Sequence, residues 1–336
     1  MGDGSRCSFV KNPVSCQQKQ MVCSILGYTN DLSHAWRSGH AISPVLMSIA
    51  NGYTYNHKEK SMFGSIKIGA CDWALPGNGL YATQIAADLG LEAISIKLGL
   101  YVNDYPLTRP AMQKIYLSEQ QRYGIEYAAI ALDDFDNIPM HARENTKEHA
   151  IVWDMLKRAV PTAAALGVPI IQVPSFVASE MKTTEDMEYS AKALQYLCDG
   201  AAERGISVAL ETDMAPERFE QVNQIVDRKN FYLYFDSQNY YLNKGYDPRM
   251  ILERQYPQMC SQLHVKDGVE LGGGYLGSGP SGFFATMDWL AEHGFSGILL
   301  LENYYDVLPM RTLGEDPYEI AKEDIRILKK AVQERS

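Results

Sequence analysis

No stretch of this sequence approaches the roughly 18 uncharged apolar residues that a membrane-crossing helix needs. The longest apolar run near the start, around Met21–Leu26, is short and has no basic cluster before it, so no signal-peptide profile is present. The expectation is a cytoplasmic protein without membrane attachment. Paired cysteines are also missing. Cys7, Cys16 and Cys23 sit close to the start, while Cys71, Cys198 and Cys260 are scattered, which excludes both a disulfide frame and a Cys-rich zinc site. Positive charge is scarce as well. The formal charge is −10, and it is unevenly spread, because acids are sparse early. Residues 1–61 hold six Lys/Arg against three acids, leaving 25 bases against 38 acids in the remainder. Such a field repels polyanions, so a nucleic-acid partner is not expected.

What is present divides into two regions. Residues 1–61 are rich in Ser, Asn and Cys, show no sustained period of 2.0 or 3.6, and end in the polar run Tyr55–Lys60. They read as an extension outside the fold, either a disordered tail or upstream sequence from a misassigned start. A targeting or partner-binding arm is the alternative. From residue 62 to 336 the chain reads as one domain. Candidate strands are Ile66–Cys71, Ala93–Leu98, Tyr127–Leu132, Pro169–Val173, Ser207–Glu211, Phe231–Asp236, Gln262–Lys266 and Gly297–Glu302. Amphipathic stretches lie between them, with Gly90, Gly167, Gly205 and Gly294 as helix stops. The last helix starts at Asp316-Pro317, a capping residue followed by Pro at the first helical position. Pro161 falls inside the third helical stretch and should kink or split it. Eight strands alternating with eight helices match a (β/α)₈ TIM barrel. A doubly wound sheet would need a glycine-rich phosphate turn after the first strand, and Cys71-Asp72-Trp73-Ala74-Leu75-Pro76-Gly77 is not one.

The chemistry emerges from the residues that close the late strands. Strand side chains alternate, so in Ser207–Glu211 the branched Val208 and Leu210 face the helices and Glu211 turns into the barrel. The same parity turns Asp236, His264 and Glu302 inward. These four lie about one βα unit apart in sequence and should converge at the C-terminal mouth, where barrel enzymes work. Three crowded carboxylates repel one another unless a cation joins them. Three oxygen donors with one imidazole suit a single divalent ion, Mn²⁺ first, then Mg²⁺ or Co²⁺, with Zn²⁺ less suited.

With these motifs in this order, the sequence resembles the xylose isomerase-like TIM barrels, which include ketose 3-epimerases, inosose dehydratases and endonuclease IV-type enzymes. The resemblance covers about residues 64–334 and rests on Leu210-Glu211, Phe235-Asp236, His264-Val265-Lys266-Asp267, Gly277-Ser278-Gly279 and Leu301-Glu302. It implies that Glu211 and Glu302 bind the metal and also move protons on opposite faces of a sugar carbon, with Asp236 and His264 as further ligands. A cation bridging a carbonyl and its neighbouring hydroxyl acidifies the α-proton and stabilises the enediolate. Departures from the ketose epimerases occur at Asn239, where they carry His, and at Glu270, where they carry Arg. The acidic residue common on the second strand is replaced at Ser95, with Lys97 one inward step further on.

The expected activity is therefore an isomerase or epimerase of a sugar or sugar derivative. The alternative is a lyase on the same scaffold, of the inosose dehydratase type or a C-glycoside-cleaving large subunit that would need a small partner chain. An endonuclease IV-like enzyme or a non-catalytic sugar-binding subunit ranks lower; otherwise a homo-oligomer is expected. Further candidates for substrate binding are Trp73, Lys97, His141, Asn239, Lys266 and Asp267. Trp73 is placed to stack on a sugar ring or to pack under a loop. Lys97 reads as a site residue or a snorkelling lysine. Lys266 and Asp267 position a substrate oxygen or support the ligands. His141 lies in a long loop, as a lid acid/base or simply exposed.

Overall fold

A computed structural model describes residues 62–336; the expectations for residues 1–61 lie outside the described residues. Eight parallel strands close into a barrel in sequence order. They are β1 (Ile66–Cys71), β2 (Ala93–Lys97), β3 (Glu126–Ala131), β4 (Ile170–Pro174), β5 (Ser207–Glu211), β6 (Phe231–Asp236), β7 (Met259–Val265) and β8 (Gly297–Leu301). The ring closes where Ile66 pairs with Gly297 and Ala70 with Leu301. The expected strands are all found, three with the same bounds and five with an end shifted by one to three residues, as is usual where fraying decides the boundary.

The helices are α1 (Tyr81–Asp88), α2 (Pro110–Tyr123), α3 (Lys147–Leu166), α4 (Thr184–Ala202), α5 (Pro216–Val226), α6 (Ser237–Lys244), α7 (Pro248–Gln255), α8 (Phe283–Glu292) and α9 (Pro317–Gln333). The four glycine stops all adopt positive φ, between 65° and 69°. Asp316 caps α9 by accepting a hydrogen bond from Tyr318 N–H. Thr183 and Asp186 form a reciprocal capping box on α4. Of the kink or split expected at Pro161, the split does not occur. α3 runs unbroken through Pro161. Pro161 and Lys157 both face solvent, so the carbonyl that the proline leaves without a partner turns to water.

Two apolar layers hold the barrel. The outer one packs the branched strand residues, such as Ile94, Ile96, Val208, Leu210, Leu263 and Leu301, against the helices. The inner one fills the barrel with Cys71, Ala93, Ala129, Ile170, Ala209, Tyr234, Cys260, Ile298 and Leu300. Small residues are needed where strands crowd the axis: a Cβ at Gly69 would lie 2.4 Å from Ala93 O and 2.8 Å from Leu300 Cδ2. The inner parity that places Ala209 and Tyr234 in this plug continues, two residues on, to Glu211 and Asp236. The plug is thus the floor of the mouth. Among the described residues, no helix is long and apolar enough to cross a membrane.

Candidate metal and substrate site

Glu211 closes β5, Asp236 closes β6, His264 is the penultimate residue of β7, and Glu302 follows β8 directly. Asp236 and His264 are register partners in adjacent strands. All four are buried, and one donor atom from each lies within 4.8 Å of every other. His264 sits at the centre. Its Nδ1 is 3.1 Å from Glu211 Oε1, 3.1 Å from Glu302 Oε2 and 3.7 Å from Asp236 Oδ2. The Lys266 ammonium completes the group, 2.5 Å from Glu302 Oε2 and 3.0 Å from Asp236 Oδ2.

Each member is held from outside. Gln172 Nε2 donates to Glu211 Oε2 at 2.6 Å, and Asn239 Nδ2 donates to Glu211 Oε1 at 3.1 Å. Trp73 Nε1 donates to Glu302 Oε1 at 2.8 Å. Asp236 caps α6, its Oδ1 accepting Asn239 N–H at 2.8 Å. The far nitrogen of His264 lies 3.3 Å from Cys71 Sγ, and the Tyr234 ring meets the imidazole edge-on at 4.7 Å. Burial pushes the Cys71 thiol up to about 12, so it is a neutral thiol at physiological pH.

The electrostatics show what the cluster demands. Against the burial that would raise it, His264 and Lys266 hold the Glu302 carboxyl well below its usual range. Against burial again, Asp236 and Glu302 hold the Lys266 ammonium well above. His264 is likewise raised against burial, by Cys71 and then the surrounding carboxylates. Burial lifts Asp236 to about 6, with Lys266 opposing. Three carboxylates therefore gather two protonated bases around them. The same charge demand is met by a divalent cation. One atom is left over: Asp236 Oδ2 is buried and has no hydrogen-bond partner, although Lys266 Nζ is close by. A hard oxygen donor without a partner, beside an imidazole nitrogen and two carboxylates, fits a divalent ion.

Above the cluster opens a cavity of about 450 Å³. Trp73, Lys97, Asn239 and Lys266 all line it, together with Asp133, Asp136 and Tyr304. Trp73 is committed to Glu302 through its N–H, so its main visible contact is with a carboxylate. Lys97 lies 5.5 Å over the Trp73 ring and 3.7 Å from Asp133. Two of the candidates from sequence do not reach the cavity. His141 faces Asp186 at 3.8 Å, on the outer loop. Asp267 alternates away from Lys266 and is buried against the loop that follows β7. Sequence reasoning passed over Cys71 and Gln172. Gln172 had a signal, since it is the polar residue of inward parity in an otherwise apolar strand; Cys71 had none, because its role depends on a strand 193 residues away. A second chamber of about 460 Å³, between the loops after β1 and β2, shares Lys97 and Asp133 with the first.

The sequence profile of the xylose isomerase-like TIM barrel family matches residues 83–331. The chain belongs to this family. A curated relative, 2-epi-5-epi-valiolone 7-phosphate 2-epimerase from Actinoplanes sp. strain SE50/110, is 28% identical over 242 residues, covering 71% of this chain and 87% of the relative. Among solved structures, the D-allulose 3-epimerase of Methylomonas sp. superposes with a TM-score of 0.64 at 18% identity, covering 81% of this chain and 99% of that one. The IOLI protein with a bound zinc atom superposes with a TM-score of 0.62 at 20% identity, covering 80% of this chain and 99% of that one. At these identities the structural likeness speaks for the fold.

Proposed function

We propose that the chain is a divalent-cation-dependent epimerase or isomerase of a sugar or sugar derivative, working by removal of a proton next to a carbonyl. One observation carries this reading. Glu211 and Glu302, from strands that are not neighbours in the ring, both reach one buried imidazole at 3.1 Å and both line the same cavity. A substrate carbon above them is addressed by a carboxylate on either side. One carboxylate removes the α-proton, and the other returns a proton to the opposite face, which inverts the centre. Gln172 and Asn239 orient Glu211, while Trp73 and Lys266 orient Glu302. The buried floor keeps water from the side of the cluster that faces the barrel plug. A cation held by Glu211, Asp236, His264 and Glu302 would supply Lewis-acid polarisation of the carbonyl. Mn²⁺ is the first candidate for an oxygen-rich set with one nitrogen, and the bound zinc named in one structural relative keeps Zn²⁺ beside it. The epimerase names of the curated relative and of a structural neighbour support the reading. The protein is taken as a cytoplasmic homo-oligomer acting on a small carbohydrate.

A lyase outcome has one specific observation in its favour. Asn239 is committed to Glu211, and Glu270 is exposed on the loop after β7, so the two positions that clamp a free ketose in the family's 3-epimerases are used otherwise here. The same enediolate can then expel a β-leaving group, in which case a small partner chain is expected. Incubation with Mn²⁺ in D₂O against ketoses, inososes and 3-keto-glycosides, read by NMR, separates the outcomes. An epimerase gives an inverted centre carrying deuterium, and a lyase gives an unsaturated or rearranged product. Absence of deuterium exchange across the panel, from cation-loaded protein, would remove the reading.

A further inference from the structure

α9 docks on the barrel through an apolar stripe of Ile320, Ala321, Ile325 and Leu328, and a carboxylate stands in the middle of it. This is Asp324, which is fully buried. For docking alone a branched aliphatic residue would serve as well, and a buried carboxylate costs free energy unless donors surround it. Three donors do. Asp324 Oδ1 accepts Leu276 N–H at 2.8 Å, while Oδ2 accepts Asn303 Nδ2 at 2.6 Å and the Tyr305 hydroxyl at 2.9 Å. Burial lifts the carboxyl to about 6, and the three donors oppose it. All three belong to the loops after β7 and β8, so one side chain of the outer ring holds two segments of the mouth.

Two of these bonds lead to Glu302. Backbone pairing keeps β7 and β8 in register up to Val265 and Leu301, and Glu302 N–H still donates to Val265 O at 3.1 Å. One step further on, the Asn303 side chain takes over. Its Oδ1 accepts Asp267 N–H at 3.0 Å while its amide nitrogen is bonded to Asp324. The residue after Lys266 is thereby clipped to the residue after Glu302, and Lys266 and Glu302 are the pair that meet at 2.5 Å in the cluster. The second connection runs through Tyr305, whose N–H donates to Ala74 O at 3.3 Å. Ala74 follows Trp73, which donates to the other oxygen of Glu302. Both groups that grip Glu302 thus trace back through the backbone to one carboxylate. Asn303, Tyr305 and Asp267 are fully buried as well, so water does not compete for these bonds.

We propose that Asp324 and Asn303 are positioning residues for Glu302: Asp324 orients the Asn303 amide, and that amide sets the spacing between the strand ends that carry Lys266 and Glu302. Neither residue lines the cavity. The proposal rests on the epimerase reading above for what Glu302 does, and concerns how Glu302 is placed.

The Trp73 indole N–H, bonded to Glu302, reports the position of that carboxylate without cation or substrate. Its ¹⁵N–¹H resonance in EDTA, identified by its loss in Trp73→Phe, is the first readout. Asp324→Asn sets two amides against each other, and Asn303→Asp sets two carboxylates against each other. Each is expected to shift the resonance. The double exchange, Asn303→Asp with Asp324→Asn, again faces one amide with one carboxylate and is expected to bring the resonance most of the way back. Leu328→Ala, on the same stripe of α9, is expected to lower the melting temperature and leave the resonance in place. On a sugar that is turned over, kcat should fall by about tenfold in each single variant, with KM little changed, and recover in the exchange. Tyr305→Phe removes one hydroxyl and keeps the packing, so it should give a smaller shift and decides the matter if the single variants do not fold. An unmoved resonance in a folded single variant or in Tyr305→Phe overturns the proposal. So does an equal shift in Leu328→Ala, a double exchange no nearer the wild type than its parents, or a wild-type kcat where the resonance has moved. Silence of every sugar would count against the epimerase reading, and the indole resonance would still decide this one.

Discussion

The two halves of the barrel mouth are built to different standards. On the side of β5 to β8 the pairing is close: Glu211 has two donors besides His264, Glu302 has Trp73 and Lys266, His264 has carboxylates on one edge and a thiol on the other, and among the four donor residues Asp236 Oδ2 alone is left without a hydrogen-bond partner. On the side of β1 to β3 the pairing is loose. Lys97 reaches Asp133 only at 3.7 Å and is 40% exposed, and the Oδ1 atoms of Asp72 and Asp133 are buried without hydrogen-bond partners. The acids on this side are pushed upward, Asp72 to about 7 and Asp136 to about 6, in each case first by burial. A closely paired half and a looser half that opens on a second chamber divide the labour. Fixed groups suit proton transfer, where a small misplacement is costly, and the adaptable side suits recognition of the rest of the ligand.

That division is sharpest where the effect should be largest. Glu211→Gln and Glu302→Gln each keep an oxygen donor but remove a proton carrier, so turnover should fall by roughly 10² to 10⁴ while the cation is retained. His264→Ala should instead lose most of the cation, since it removes the central donor. Kinetics paired with elemental analysis would show both. Near wild-type turnover in either glutamine variant would break the assignment of chemistry to the late half. Gln172→Ala comes next. It frees Glu211 Oε2 without touching a ligand, and a fall in kcat of about tenfold with cation content unchanged is expected. On the early half, Lys97→Ala should move KM by a few-fold, on the order of 1 kcal/mol, and leave kcat in place. A kcat effect larger than that of Gln172→Ala would reverse the comparison.

The smallest effect is on stability and comes from Asp72. Its carboxyl is raised in the folded chain from an ordinary 3.8 to about 7, so between those values the folded state holds a proton that the unfolded state has released. Stability from this group is present at low pH and is lost as pH rises through that window. Asp72→Asn should therefore flatten the fall in melting temperature between pH 5 and 8 and stabilise the chain by on the order of 1 kcal/mol at the upper end. An unchanged pH dependence would place the proton elsewhere.

The late half was also the legible half. Glu211, Asp236, His264 and Glu302 could be read because each ends an apolar strand whose parity is unambiguous, and strand ends in a (β/α)₈ barrel converge wherever the helices lie. Of the groups that hold them, Trp73, Asn239 and Lys266 were legible as candidates and Gln172 had a signal, but the pairings of Cys71 and Trp73 were not readable, because these two come from β1 and its loop, on the opposite side of the sequence. Their partners are set by ring closure between β1 and β8, which no local pattern records. Asp267 is expected to position a substrate oxygen or to support the ligands, and alternation turns it from the cavity, which leaves the first role to Lys266. Trp73, expected either to stack on a sugar ring or to pack under a loop, lines the cavity and also gives its N–H to Glu302. Pro161 misled for a different reason: its penalty was judged for a helix interior, whereas it sits on the wet face of α3.

Asp236 carries a consequence for which substitutions this chain can accept. One oxygen of its carboxylate begins α6 by receiving Asn239 N–H, and the other points bare into the cluster, while the Asn239 side chain reaches on to Glu211. The length of one side chain therefore sets two distances at once, like a gauge block between a helix end and a reaction centre. Glutamate would preserve the charge but overshoot the turn by a methylene, so the helix start and the grip on Glu211 would slip together. A position that refuses the longer acid is constrained by geometry before it is constrained by chemistry, and drift around the rest of the mouth must leave this one spacing untouched.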